Sequence, residues 1–165
     1  MYTNATLYLV DNPVNNGPVV AGLNLFVGLL SIWLNYIIDE QRQHVRATGG
    51  KCTLGFGPDW GQPPRIMLGH YTTTDGKQRV SELLINGWWG VSRHVHYLPE
   101  LAAALSWCAC AGGVMRVTPV AYVVFLAILL ADRAVRDEHR MRAKYGEDYK
   151  ELCRLVPHYV VPGVF

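Results

Sequence analysis

The segment Val19–Ile38 carries no charged side chain. At ~1.5 Å per residue such a helix reaches about 30 Å, the thickness of a bilayer's hydrocarbon core. That run constrains the fold more than any other feature, because a chain that crosses lipid must satisfy its backbone polar groups internally. Asn24 and Asn35 lie inside it, and their amides are expected to face other helices rather than lipid. Asp39 and Glu40 close the span. Composition agrees: half the chain is hydrophobic, only 17% is charged, and it holds five Trp and nine Tyr. The amino-terminal stretch has no basic residue and does not read as a signal peptide.

Two further apolar runs, Leu98–Gly113 and Thr118–Ala131, are shorter and are interrupted by Gly112-Gly113. They read as a helical hairpin in the membrane over 98–131, the second helix lengthening by running on into the charged residues after it. A buried hairpin of a soluble protein is the competing reading. Between the spans, residues 39–97 form a long polar connection holding Arg42, Arg46, Lys51, Arg65, Lys77, Arg79 and Arg93. Within it, Asp75-Gly76 is a turn or hairpin signal. Basic residues mark the cytosolic side, so the 39–97 loop and the 132–165 segment are expected to be cytosolic. Three crossings satisfy this distribution. The expected fold is an all-α integral membrane protein, with about three transmembrane helices, a long cytosolic loop and a cytosolic C-terminal helix.

Two stretches are dense enough in polar groups to carry chemistry. After Ala131 come Arg133, Arg136, Asp137, Arg140, Arg142 and Lys144, with no Gly or Pro before Gly146. On a continuing helix Arg133, Asp137, Arg140 and Lys144 share a face. Spacing alone makes this face a topology signal more often than an anion site. The stretch Leu83–Tyr97 (LLINGWWGVSRHVHY) joins two Trp to Arg93, His94, His96 and Tyr97. It reads either as an interfacial aromatic belt or as a polar pocket at the membrane face. His94 and His96 have no evident third ligand, so no metal site is expected. Cys52, Cys108, Cys110 and Cys153 form no CxxC pair and read as reduced structural thiols. No G-x-S-x-G, P-loop or helix-opening G-x-G-x-x-G occurs. A net charge of +2 does not suggest nucleic acid as a partner.

Together these stretches resemble the C-terminal part of the membrane sterol reductases. The family's late signature, R-x-x-R-D-x-x-x-C-x-x-K-Y-G-x-x-W, is met by Arg133, Arg136, Asp137, Lys144, Tyr145 and Gly146, with Met141 for the Cys and Tyr149 for the Trp. The earlier block, G-W-W-G-x-x-R-H-x-x-Y, is met by Gly87, Trp88, Trp89, Gly90, Arg93, His94 and Tyr97. Reductases of the Δ14 double bond usually have R-H-P-N-Y here. Val95 and His96 stand in place of that Pro and Asn, which looks like the Δ7 branch.

The resemblance implies NADPH-dependent reduction of a sterol ring double bond, in a multi-pass protein of the endoplasmic reticulum membrane. Its partners would be a sterol and the bilayer. The implied cofactor contacts are Arg42, Arg46, Leu84, Trp89, His96, Tyr97, Arg133, Asp137, Met141, Lys144 and Tyr145. A further family Tyr falls at Leu152. The catalytic acid is unassigned, with Tyr97, Asp137 and Tyr145 as candidates beside the His residues. The resemblance also implies the C-terminal portion of a larger multi-span bundle, with upstream helices as partners. Two other classes remain open at this point. One is a membrane methyltransferase of the isoprenylcysteine type using S-adenosylmethionine, whose R-H-P-x-Y block and late Y-G-x-x-Y…V-P ending are met loosely by Arg93, His94, Tyr97, Tyr145, Gly146, Tyr149 and Pro157, while the missing Pro after His94 and the R-x-x-R-D block argue against it. The other is a non-catalytic, truncated sterol-binding homologue.

Overall fold

The computed structural model describes residues 2–113 and 116–163. The chain is mostly helical, in the order α1 (Tyr2–Asp11), α2 (Gly17–Thr48), β1 (Ile66–Thr72), β2 (Gln78–Leu84), α3 (Trp88–Val91), α4 (Tyr97–Cys110), α5 (Val117–Tyr145) and α6 (Glu147–Leu155). It divides into two compact units, residues 1–35 with 97–132 and residues 36–96 with 133–165.

In the first unit, Leu23, Leu25, Phe26 and Leu29 of α2 are all exposed. Large apolar side chains on one surface suit lipid rather than water. Helices α2 and α5 are both long and apolar enough to cross a membrane. Helix α4, at 14 residues and about 21 Å, falls short of the third crossing expected over 98–131. Asn16 caps the end of α4, its Nδ2 donating to Cys110 O at 3.0 Å. Gly28 lets the chain approach Ser106, since a Cβ there would stand 2.9 Å from its Oγ.

The second unit holds two departures from the expected loop. Helix α2 does not end at Asp39 but runs on to Thr48. Residues 39–48 contain no Gly or Pro, and Glu, Gln, Arg and Ala are good helix formers, so charge marks the end of the apolar span without ending the helix. The remainder is not wholly irregular. Strands β1 and β2 pair antiparallel with Ile66 opposite Leu84 and Thr72 opposite Gln78, so the chain is not all-α. The turn is the one Asp75-Gly76 signals: Gly76 has φ +74°, and Thr73 N donates to Lys77 O at 2.9 Å.

One face of the hairpin carries Met67, Tyr71 and Leu83 into a core with Tyr145, Tyr149, Leu152 and Val156. Tyr145, Tyr149, Leu152 and Val156 recur every three or four residues, which is how α6 continues the buried face of α5 past Gly146. His70 N donates to Asp148 Oδ2 at 2.7 Å, tying β1 to the first turn of α6. A second buried cluster joins Ile38, Trp89 and Val95.

Candidate functional site

Within the second unit a cavity of about 190 Å³ is lined by Arg42, Arg46, Leu83, Leu84, Trp89, Arg93, His94, Asp137, Met141, Tyr145, Tyr149, Leu152 and Val156. Its geometry follows from helical spacing. Arg42 and Arg46 are four apart on the continued part of α2 and share a face. Asp137, Met141 and Tyr145 repeat the same interval on α5, and α6 adds Tyr149 and Leu152.

Trp89 is fixed by three neighbours. Its Nε1 donates to Ile38 O at 3.0 Å, and the Arg42 guanidinium lies 4.1 Å from its ring centre. The His96 ring stands 5.3 Å away, centre to centre. The tight bend before it depends on Gly87, at φ +64°, where a Cβ would stand 2.5 Å from Gln41 Oε1. That same oxygen accepts from Trp88 N at 3.0 Å. The residues after it are held by the C-terminal tail: Arg93 N donates to His158 O at 3.1 Å and His94 N to Tyr159 O at 3.0 Å.

The charges are uneven. Burial, then the neighbouring charge of Arg46, lower the Arg42 pKa, with Asp39 and Asp137 opposing. Burial also lowers His94, and pushes His96 down to about 4. Three guanidinium groups and one carboxylate, Asp137, therefore line the cavity beside a histidine, His94, whose pKa burial lowers. Behind the wall, Glu138 accepts from the Tyr149 hydroxyl at 2.5 Å and from Arg142 Nε at 2.9 Å. Burial pushes Glu138 up, but those hydrogen bonds and the charge of Arg93 outweigh it and hold the carboxyl below its usual range. Burial and the bond to Glu138 drive the Tyr149 phenol well above its usual range.

Of the residues anticipated from sequence, Arg42, Arg46, Leu84, Trp89, Asp137, Met141 and Tyr145 line this cavity together. His96, Arg133 and Lys144 do not. Lys144 sits one position before Tyr145, about 100° around the helix, and its Nζ lies 3.9 Å from the Tyr71 ring centre. Tyr97 opens α4 in the other unit, where it is buried. Leu83, Tyr149 and Val156 line the cavity without having been singled out for it. The spacing of Tyr145, Tyr149, Leu152 and Val156 was the available signal for the last two. Arg93 and His94 were visible only as part of their block. Among the described residues, no three His, Cys, Asp or Glu side chains gather to hold a metal.

Two helices are long and apolar enough to cross a bilayer, as in a membrane protein, and the second unit holds a cavity lined by cationic and aromatic side chains. The chain belongs to the sterol reductases: the model of the Ergosterol biosynthesis ERG4/ERG24 family matches residues 1–165. It is 42% identical to a 7-dehydrocholesterol reductase of Arabidopsis thaliana, over the whole chain and 37% of that relative. Its identity to the 7-dehydrocholesterol reductase of Xenopus laevis is 37%, over the whole chain and 34% of the relative. With the Delta(14)-sterol reductase erg24 of Schizosaccharomyces pombe it is 39%, over the whole chain and 35% of the relative. The chain thus spans about a third of the length of the curated relatives it matches. These matches do not favour the methyltransferase reading.

Proposed function

We propose that this chain forms the NADPH-binding part of an enzyme that reduces a ring double bond of a sterol, the Δ7 bond being its target, in the endoplasmic reticulum membrane. The observation that carries the reading is the cavity itself. Its lining carries three guanidinium groups against the single carboxylate of Asp137, and Leu84, Trp89, Met141 and Tyr145 give it flat and apolar walls. A dinucleotide combines the matching properties, acidic phosphates and planar rings. Arg42 and Arg46 would meet phosphate oxygens, and Trp89 and Tyr145 would flank a ring. Asp137 would accept from a ribose or amide donor. When bound, NADPH would supply the hydride.

A proton must reach the other alkene carbon, and Asp137 and Tyr145 are the cavity-lining candidates to deliver it. The 39–97 and 132–165 segments would then face the cytosol, where NADPH is available. Val95 and His96, which stand where Δ14-reductases usually have Pro and Asn, support Δ7 as the bond reduced.

The test is calorimetric titration of NADPH into the chain in lipid nanodiscs, with Arg46→Gln beside it. The variant is expected to bind at least tenfold more weakly, a loss of about 1.4 kcal/mol or more. Equal affinity in the two proteins would remove Arg46 from the site. Sterol analysis of Δ7-reductase-deficient cells expressing the chain tests the regiochemistry, with persistence of the Δ7 sterol as the refuting outcome.

A further inference from the structure

Arg93 stands out among the cavity's cations for what it lacks. Its side chain is 14% exposed, yet a guanidinium has five N–H donors to satisfy. Nη1 reaches Val156 O only at 3.4 Å, and Nη2 comes within 4.0 Å of Glu138 Oε2. Buried Nε has no hydrogen-bond partner among the described residues. Glu138 is not short of donors, because Tyr149 and Arg142 already hold it at 2.5 and 2.9 Å. The guanidinium carbon lies 5.2 Å from the Tyr159 ring centre, which favours the charge but offers Nε no acceptor, and a buried N–H without an acceptor is costly. The cost is removed when a ligand brings the acceptor.

The cavity's cations also have different charged neighbours. The charges acting on Arg42 are those of Arg46, Asp39 and Asp137. Arg93 acts instead on His94, Glu138 and Tyr149. Arg42 and Arg46, one helical turn apart on α2, and Arg93, on the segment after α3, line the cavity from two different elements, with Asp137, Met141 and Tyr145 supplied by α5.

We propose that the site takes a ligand with two separated acidic groups, and that Arg93 anchors the second of them. The clamp of residues 92–94 against the C-terminal tail fixes the backbone from which Arg93 reaches. Ser92, with no exposed surface, donates from Oγ to Val160 O at 2.9 Å. This assignment rests on the dinucleotide reading, in which the pyrophosphate and the 2′-phosphate are the two groups.

The experiment titrates NADPH, ADP, 2′,5′-ADP and inorganic pyrophosphate into the nanodisc-embedded chain, its Arg93→Gln and Arg93→Lys variants, and Arg46→Gln. Thermal unfolding without ligand monitors the fold of each. Arg93→Gln is expected to weaken NADPH at least tenfold, and Arg93→Lys to recover part of the loss. Arg93→Gln and Arg46→Gln should penalise different phosphate groups. One lowers the advantage of 2′,5′-ADP over ADP, and the other lowers affinity for both nucleotides and leaves that advantage intact. NADPH affinity within twofold of wild type in Arg93→Gln overturns the proposal. So does the same pattern of loss in both variants. A chain that binds pyrophosphate through Arg93 but binds neither NADPH nor the nucleotides would keep the anion anchor and remove the cofactor reading.

Discussion

Gly69 sits in β1 with its bare Cα against the ring of Tyr145. A Cβ added there would stand 2.9 Å from Tyr145 Cδ1 and 3.0 Å from Leu83 Cδ1. The ring has little freedom to withdraw. Tyr71 meets it edge-on at 5.6 Å between centres, and Lys144 Nζ lies 4.8 Å from its centre. Gly69 has no positive φ, so Gly69→Ala adds steric conflict without backbone strain. Overpacking of this kind costs ~1–3 kcal/mol. The substitution also removes a strand glycine, which returns ~0.5–1 kcal/mol. The net expectation is a loss of about 1–2 kcal/mol. In a chain of this size that lowers Tm by roughly 2–8 °C.

Near-UV circular dichroism during thermal unfolding in detergent reads the change. The decisive arm is the same substitution in a Tyr145→Leu background, where the obstructing ring is gone. There Gly69→Ala should be neutral or slightly stabilising, so the two substitutions couple by at least ~1 kcal/mol. Equal cost in both backgrounds, or stabilisation of the wild type, would refute the steric reasoning.

Two predictions concern pH. His96 titrates at about 4 in the folded chain against 6.5 ordinarily. The unfolded state therefore takes up a proton first, and stability falls as pH drops from about 6.5 towards 4, by up to roughly 3 kcal/mol. His96→Gln should flatten denaturation midpoints over that window, and an unchanged slope would show that other groups dominate it. Glu138 shifts downward, so its contribution is full above its ordinary pKa of 4.5 and is lost as pH falls below that value through its folded one. Glu138→Gln should lower stability at pH 7 and shallow the decline below pH 4.5, with a parallel curve as the contrary result.

Much of the fold is legible because periodicity and turn chemistry act locally. Val19–Ile38 lies inside α2, and the helix that begins in the apolar run before Ala131 continues unbroken through the charged residues to Tyr145. Asp75-Gly76 does turn a hairpin. The extension of α2 to Thr48 was hidden because a solvated helix and a polar loop have similar composition. Yet that extension places Arg42 and Arg46 on one face. The site was legible in its residue types more than in its spacing. A cationic face drawn through Arg133, Asp137, Arg140 and Lys144 predicts one wall, whereas the cavity uses Asp137, Met141 and Tyr145, one step around the helix. Leu83 reaches the cavity through tertiary packing of the hairpin, which no local pattern encodes.

The setting of Trp89 has an optical consequence. Among the described tryptophans it alone lines the cavity, with its indole N–H committed to Ile38 O and its ring under the Arg42 guanidinium. Indole emission responds to both hydrogen bonding and nearby charge. The emission band also overlaps the absorption of a reduced nicotinamide, so energy transfer reports proximity. With Trp33, Trp60, Trp88 and Trp107 replaced by phenylalanine, the chain would carry its own fluorophore at the place where a ligand arrives, and occupancy would be readable as a change of colour with no label attached.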